Sequence, residues 1–351
     1  MRDSLLPIEP IVLNPNFATT RMVIKDGQDS PKELSANKNV KVGGLKTQGY
    51  SKQSYRTAEL DYPLVTIITV VYNNDRYLET TIASVLAQSY DNLEYIIVDG
   101  GSTDGTLDII RQYEDRIDYW ISEPDGGLYE AMNKGVALAK GDIIGILNSD
   151  DLYFADTVTQ IVAEYRQHTK PCIIYGSMRK FVDEETTIST NRGDLSDRAF
   201  DTASIVINHP TCFVPRSLYR DFGGFKPEYE VGADRELMMR FHSQGVEFIN
   251  LERAIAQFRL GGTTSDQSLA KIFNREVVQE YRLLSAYKVS KIAISKVLLR
   301  KIVQGTRKWL FYRVLGEKSA NKLIMFYISY KFSRPSERLA SKEHVNSDRN
   351  I

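Results

Sequence analysis

Cysteine is scarce in this chain of 351 residues, which holds two, Cys172 and Cys212. That excludes a disulfide framework and a four-cysteine zinc site, and both thiols stand among apolar neighbours, as packed core cysteines do. Long hydrophobic runs are missing too. No stretch approaches the roughly 18 apolar residues of a membrane span, and residues 1–10 hold Asp3, Glu9 and two prolines where a secretory leader would be apolar. These absences predict a cytoplasmic protein, soluble or peripheral at the inner face of the plasma membrane. Net charge is also lacking: 45 basic residues balance 45 acidic ones, so no global field recruits nucleic acid. The balance conceals an asymmetry. Residues 265–351 carry 18 Lys/Arg against 7 Asp/Glu, which leaves 27 against 38 for residues 1–264. An acidic body with a basic tail predicts an enzyme with a docking surface for anionic lipid.

What is present is ordinary globular composition, 42% hydrophobic and 26% charged, with enough length to bury a substantial core. Residues 1–60 are rich in Asn, Ser, Lys, Gln and Gly without a sustained apolar period. They read as a flexible or loosely docked N-terminal extension, with an edge strand within 40–55. At Pro63 the texture changes. The run LVTIITVVYN (64–73) is apolar and β-branched, as in a strand buried on both faces. A helix follows, with Asn74 or Asp75 as its cap and Leu78, Ile82, Val85 and Leu86 on one face. Then come a strand EYIIVDG (94–100), a helix over 106–113, a strand over 119–122, a helix over 128–139 and a strand DIIGILNSD (142–150). Alternation with short links predicts an α/β fold built from right-handed βαβ units, its parallel sheet covered by helices on both faces. Beyond Leu152 the pattern predicts a helix over 156–167, a strand CIIYGS (172–177), a polar loop or lid over 183–204, a helix over 233–244 and a final strand before RLGGTTSDQ (259–267). From 269 onward the chain reads as helical and basic.

Three of these strands end in polar residues at their carboxyl ends: Tyr72-Asn73, Asp99-Gly100-Gly101 and Asn148-Ser149-Asp150-Asp151. In open α/β sheets ligands bind in the crevice outside those ends. A carboxylate pair straight after an apolar strand is costly to bury without a counter-ion, so Asp150 and Asp151 point to Mg²⁺ or Mn²⁺ shared with substrate phosphates. The competing reading makes either residue the cap of a following helix. The run VDGGSTDGT (98–106) lets a ligand approach the backbone, and Asp104 can cap the next helix. It is neither a phosphate-binding P-loop, lacking Gly-Lys-Ser/Thr, nor a Rossmann G-x-G-x-x-G.

Taken together, ITVVYN (68–73), EYIIVDGGSTDGT (94–106), SEPDGGLYEAMNKGVALAKGD (122–142), LNSDD (147–151) and GADRELMMR (232–240) resemble the family 2 glycosyltransferases, inverting enzymes of the GT-A fold. The resemblance implies a mostly parallel central sheet flanked by helices, followed here by a helical C-terminal extension. It divides the chain into an extension over 1–60, a transferase domain over 61–264 and a basic extension over 265–351. It implies a nucleotide-diphosphate sugar donor held by Tyr72, Asp99, Asp125, Asn133, Lys134, Asn148 and Asp150. A divalent cation, Mn²⁺ or Mg²⁺, would sit on Asp150 and Asp151, and Asp234 would be the general base. The chain departs from the pattern at Asn148, in place of the first Asp of D-x-D-D. It departs also at Gly100, where many members carry a second Asp, and at Ala233, where Glu is usual. No Q-x-x-R-W motif follows, which excludes a processive synthase.

The implied chemistry moves a sugar onto a hydroxyl of a glycan or lipid-linked acceptor, in polysaccharide or cell-surface glycan assembly. That hydroxyl needs a positioned base, and Asp234 would supply it; the competing role for Asp234 is a helix N-cap. His209 in NHPT (208–211) and Arg259 in FRLGG (258–262) are further candidates for the acceptor side or a lid. Lys288, Lys291, Lys296, Arg300, Lys301, Arg307, Lys308 and Arg313 stand among Trp309, Phe311 and Tyr312, which suits a helix at an anionic membrane surface. Two other functions compete. A sugar-nucleotide pyrophosphorylase would carry a Gly-rich basic loop where ITVVYNNDR (68–76) stands, and a non-catalytic nucleotide-sugar or glycan-binding module would have lost part of the acid set.

Overall fold

The computed structural model describes residues 24–25, 40–56, 61–182, 187–201, 204–229, 232–260, 283–287, 294, 295, 297 and 299. In chain order the principal elements are β1 (Lys41–Gly43), β2 (Val65–Val71), α1 (Leu78–Leu86), β3 (Leu93–Asp99), α2 (Thr106–Gln112), β4 (Tyr119–Ser122), α3 (Leu128–Leu138) and β5 (Ile143–Asn148). They continue with β6 (Leu152–Tyr153), α4 (Thr157–Tyr165), β7 (Cys172–Phe181), β8 (Thr187–Asn191), α5 (Asp197–Asp201), β9 (Phe213–Pro215), α6 (Arg216–Phe222), α7 (Ala233–Ser243) and β10 (Glu247–Arg259).

All ten strands join one sheet, in the order β6-β10-β7-β9-β5-β2-β3-β4-β1 with β8 added to β7. Its centre, β5-β2-β3-β4, is parallel. Every residue of β2 and β3 is buried, because α1, α2 and α4 cover one face and α3, α6 and α7 the other. Alternation within β2 sends Ile67 to the first layer and Ile68 to the second. β2 has β3 on one side and β5 on the other, so the strand order reverses there. That reversal opens a crevice at the carboxyl ends of β2, β3 and β5, the ligand position of such sheets.

Several expectations shift. Helix α1 begins at Leu78 behind Tyr77 and has no side-chain cap; Asn74 and Asp75 bond to the neighbouring strand-end loops instead. Neither Asp150 nor Asp151 caps a helix, since the short strand β6 follows and α4 begins after Asp156. Within the stretch expected to be a loop or lid, 187–191 pairs with β7 as a hairpin and 197–201 is helical.

Residues 40–56, expected within a loosely docked extension, are anchored. β1 pairs antiparallel with β4, giving the expected edge strand. The fully buried Lys52 ammonium lies 2.9 Å from Asp118 Oδ2 and donates to the Leu93 carbonyl at 2.6 Å, while Lys46 lies 2.6 Å from the buried Glu94. Of the basic tail, Leu283 and Leu284 are buried in the α7-side layer. Lys288, Lys291, Lys296, Arg300 and the basic residues after them lie outside the described residues. Among the described residues no helix is long and apolar enough to cross a membrane.

Candidate active site

The three strand ends are tied to one another by side chains. Asn73, in the left-handed region at φ 48°, accepts from the Thr103 N–H at 2.8 Å and donates its own N–H to Ser102 Oγ at 2.8 Å. Asparagine tolerates that backbone because its short polar side chain bonds locally. The Asn74 amide reaches Ser149 Oγ at 2.8 Å, linking the end of β2 to the end of β5. Asp99 is fully buried. Its Oδ2 accepts from Ser122 Oγ at 2.7 Å and from the Ser102 N–H at 3.1 Å, while its Oδ1 accepts from the Ser102 hydroxyl. Tyr72 stands 61% exposed at the mouth, so its ring is open to a stacking ligand. Asp104 accepts from the Thr106 N–H at 3.0 Å, but the N-cap position of α2 expected of it falls to Gly105.

Asp125 lies against Gly100: a Cβ built there would stand 3.0 Å from its Oδ2. Asp125 therefore brings a carboxylate beside a position that carries no side chain. Burial raises the Asp125 carboxyl pKa, against the Gly127 N–H and Lys134, which lower it. Lys134 is itself paired with Glu123 at 2.7 Å.

At the end of β5, Asp150 and Asp151 are both buried. Asp151 Oδ2 accepts from the Asn148 amide at 3.1 Å and its Oδ1 from the Arg259 N–H at 3.3 Å. Burial, and then the charge of Asp150, hold the Asp151 carboxyl well above the usual carboxylate range. The Arg259 guanidinium is sandwiched between the rings of Tyr77 and Phe181, at 4.4 and 4.5 Å from their centroids. Two adjacent buried carboxyl groups at a strand end, one of them pushed up by burial and by its neighbour, have the oxygen chemistry that fits a divalent cation. Such an ion takes one or two protein carboxylates and completes its shell with substrate phosphate and water. Among the described residues no group of three His, Cys, Asp or Glu could hold a metal ion by itself.

Asp234 is the second residue of α7. The N-cap is Gly232, at φ 96°, so the capping role does not fall to Asp234. Its Oδ1 accepts from the Arg235 N–H at 2.8 Å and from the Tyr129 hydroxyl at 3.5 Å. His209 packs on the β5 block, its Nε2 3.2 Å from Asn148 Oδ1. Burial lowers the His209 pKa while the nearby Asp234 charge opposes that shift. Two residues along α7, Glu236 is fully buried and held by Arg240 at 2.7 Å, Lys226 at 2.8 Å and the Tyr287 hydroxyl at 2.7 Å.

Thus Tyr72, Asp99, Asp125, Asn148, Asp150 and Asp151 gather at the strand ends, with His209 leading to Asp234 and Arg259 stacked beside Asp151. The Asn133 side chain is engaged by the loop after α6. Its amide donates to the Phe225 carbonyl at 2.7 Å and accepts from the Phe225 N–H at 2.8 Å, bracing the loop after α6. Ser102, Ser122, Tyr77, Phe181 and Tyr129 went unread in the sequence. Of these, Tyr129 alone left a trace there, its spacing of four from Asn133 on one helix.

The model of the glycosyl transferase family 2 matches residues 66–222. An uncharacterised glycosyltransferase of Mycobacterium tuberculosis is 31% identical over 215 residues, 60% of this chain and 80% of its own length. A PGL/p-HBAD biosynthesis glycosyltransferase of Mycobacterium bovis is 28% identical over 226 residues, 63% of this chain and 86% of its own. Among solved structures, S. aureus TarS 1–349 in complex with UDP-GlcNAc superposes with a TM-score of 0.51 at 18% identity, over 68% of this chain and 71% of that one. A second TarS structure gives 0.50 at 18% identity and is covered over 43% of its length, against 68% of this chain. The architecture shared with them is the GT-A fold. This chain is a glycosyltransferase and belongs to glycosyl transferase family 2.

Proposed function

We propose that the protein transfers a sugar, with inversion, from a nucleoside-diphosphate sugar to a hydroxyl of a glycan or lipid-linked acceptor. The observation that carries this reading is the gathering of the buried acids Asp99, Asp150 and Asp151 at the carboxyl ends of the parallel strands, with His209 on Asn148 and within reach of the Asp234 charge. Tyr72 would stack on the base, and Asp99 and Asp125 would edge the nucleoside. Asp150 and Asp151 would hold the divalent cation, which when bound offsets charge on the departing diphosphate. The acceptor oxygen bonds to the anomeric carbon as the bond to the diphosphate oxygen breaks on the opposite face, and Asp234 takes the hydroxyl proton. The Arg259 charge, held by two rings, would favour the phosphates.

The complex of TarS with UDP-GlcNAc and the glycolipid role in the name of the mycobacterial relative support a nucleotide-sugar donor and a cell-envelope product. Cytoplasmic placement, with 265–351 touching an anionic membrane, and a domain boundary at residue 264 belong to the same proposal. A thermal-melt panel of UDP-, GDP- and dTDP-sugars tests it, run in Mn²⁺ and in EDTA. At least one donor should raise the melting temperature more in Mn²⁺. A panel with no responsive member would refute the donor reading, and a response equal in EDTA would refute the metal.

A further inference from the structure

Helix α3 carries Tyr129 and Asn133 four residues apart, hence on one face. The helix lies close on β2, since a Cβ at Gly135 would strike Ile68. Asn133 holds Phe225 by both backbone groups, and the Phe225 ring stacks on Tyr129 with centroids 5.7 Å apart. A side chain at Gly224 would collide with the Asn133 amide, so the brace depends on a glycine there. The Tyr129 hydroxyl then accepts the Gly232 N–H at 3.2 Å, at the left-handed turn that starts α7, and faces Asp234 Oδ1 at 3.5 Å. Both hydrogen bonds of Asp234 among the described residues fall on Oδ1, which leaves Oδ2 for a substrate proton.

We infer that Tyr129 is a positioning residue for the base, setting the start of α7 and the orientation of the Asp234 carboxylate, and that Asn133 serves the same purpose through Phe225. The inference rests on the reading of Asp234 as the base. The other ionisable groups around Asp234 are His209 and Cys212, whose electrostatics it perturbs, and its neighbour Arg235, whose guanidinium donates to the Ile205 carbonyl. The phenol remains a protonated donor throughout the working range, because burial and then the Asp234 charge raise its pKa.

The test is Tyr129→Phe, which keeps the ring on Phe225 and removes the hydroxyl. The Asp234 carboxyl is followed by its ¹³C NMR chemical shift in Asp-labelled protein, with Asp234→Asn assigning its signal. Losing the Tyr129 donor should displace the Asp234 carboxyl resonance while those of remote aspartates stay in place. Turnover of the donor identified in the melt panel should fall about two- to tenfold, with its KM unchanged. An Asp234 resonance identical in parent and variant overturns the inference, as does a loss confined to KM. Asn133→Ala supplies the second arm: kcat should fall with donor KM intact, whereas a raised donor KM would return Asn133 to the donor pocket. If Asp234→Asn keeps full activity, the base assignment fails, while the NMR result still decides whether Tyr129 governs that carboxylate.

Discussion

Replacing Asp151 by Asn should move stability in opposite directions depending on whether cation and nucleotide are present. In the unliganded protein the Asp151 carboxylate is fully buried beside Asp150, and that neighbour repels it. Repulsion between adjacent carboxylates is of order 2 kcal/mol at the effective dielectric of protein sites. Asparagine removes that repulsion and can still accept from either Asn148 or Arg259, but its amide nitrogen faces the other donor, which loses about 1 kcal/mol. The net gain is about 1 kcal/mol, or a rise of roughly 2–4 °C in melting temperature for a domain of this size. With the Mn²⁺–donor complex taken as one ligand at a hundred times its dissociation constant, the parent gains about 2.7 kcal/mol. The variant, short of a charged ligand, gains little, so the ranking of the two melting curves reverses. Differential scanning fluorimetry in EDTA and in Mn²⁺ with nucleotide reads both arms. A variant much less stable than the parent in EDTA would make Asp151 a structural group, and an undiminished Mn²⁺ response would remove it from the metal site.

Other expectations follow from the same geometry. Asp234→Asn should lower transfer roughly 10²–10⁴-fold with melting temperature and donor affinity near the parent, because Gly232 and not Asp234 caps α7; full activity in a steady-state assay would refute the base. Burial would raise the Glu236 carboxyl, but hydrogen bonds from Arg240, Lys226 and Tyr287 outweigh it and hold the pKa below its ordinary value. A depressed folded-state pKa gives stability that is present above the unfolded value and lost as pH falls through the folded one. Glu236→Gln should therefore cost about 1–3 kcal/mol near neutral pH, with the gap to the parent closing below about pH 4 in urea titrations. A constant gap across pH would contradict the network. The basic tail should sediment with liposomes more strongly as anionic lipid rises and salt falls; binding indifferent to lipid charge would leave those residues a packing role.

The sheet was legible because strands covered on both faces leave unbroken apolar runs, and their polar ends mark where the chain leaves the core. Asp99, Asp150 and Asp151 stood out as carboxylates at such ends. Partners distant in sequence stayed hidden. Nothing local tells that Ser122 will serve Asp99, or that Tyr129 will meet the Gly232 N–H 103 positions later. The bonds from Asn133 to Phe225 stayed hidden for a related reason: helical spacing shows which residues share a face, not what that face meets. Asn74 and Asp75 had the chemistry of caps, but the Asn74 amide donates to Ser149 and the Asp75 carboxylate accepts from the Gly105 N–H on neighbouring strand-end loops.

The family match starts at residue 66, yet the folding unit starts earlier. Lys46 and Lys52 place their ammonium groups on Glu94 and Asp118, acids at the start of β3 and just before β4. Both acids are interior, so the domain is not electrically complete without a segment that its family pattern omits. Removing one partner of a buried pair costs about 3–5 kcal/mol, a large share of the stability of an ordinary domain. Trimming this enzyme to the outline of its family would remove the counter-charges beneath its own sheet, at the edge opposite the strand ends where the chemistry is gathered. Relatives that lack such a segment need either neutral residues at those two positions or lysines brought from elsewhere in the chain.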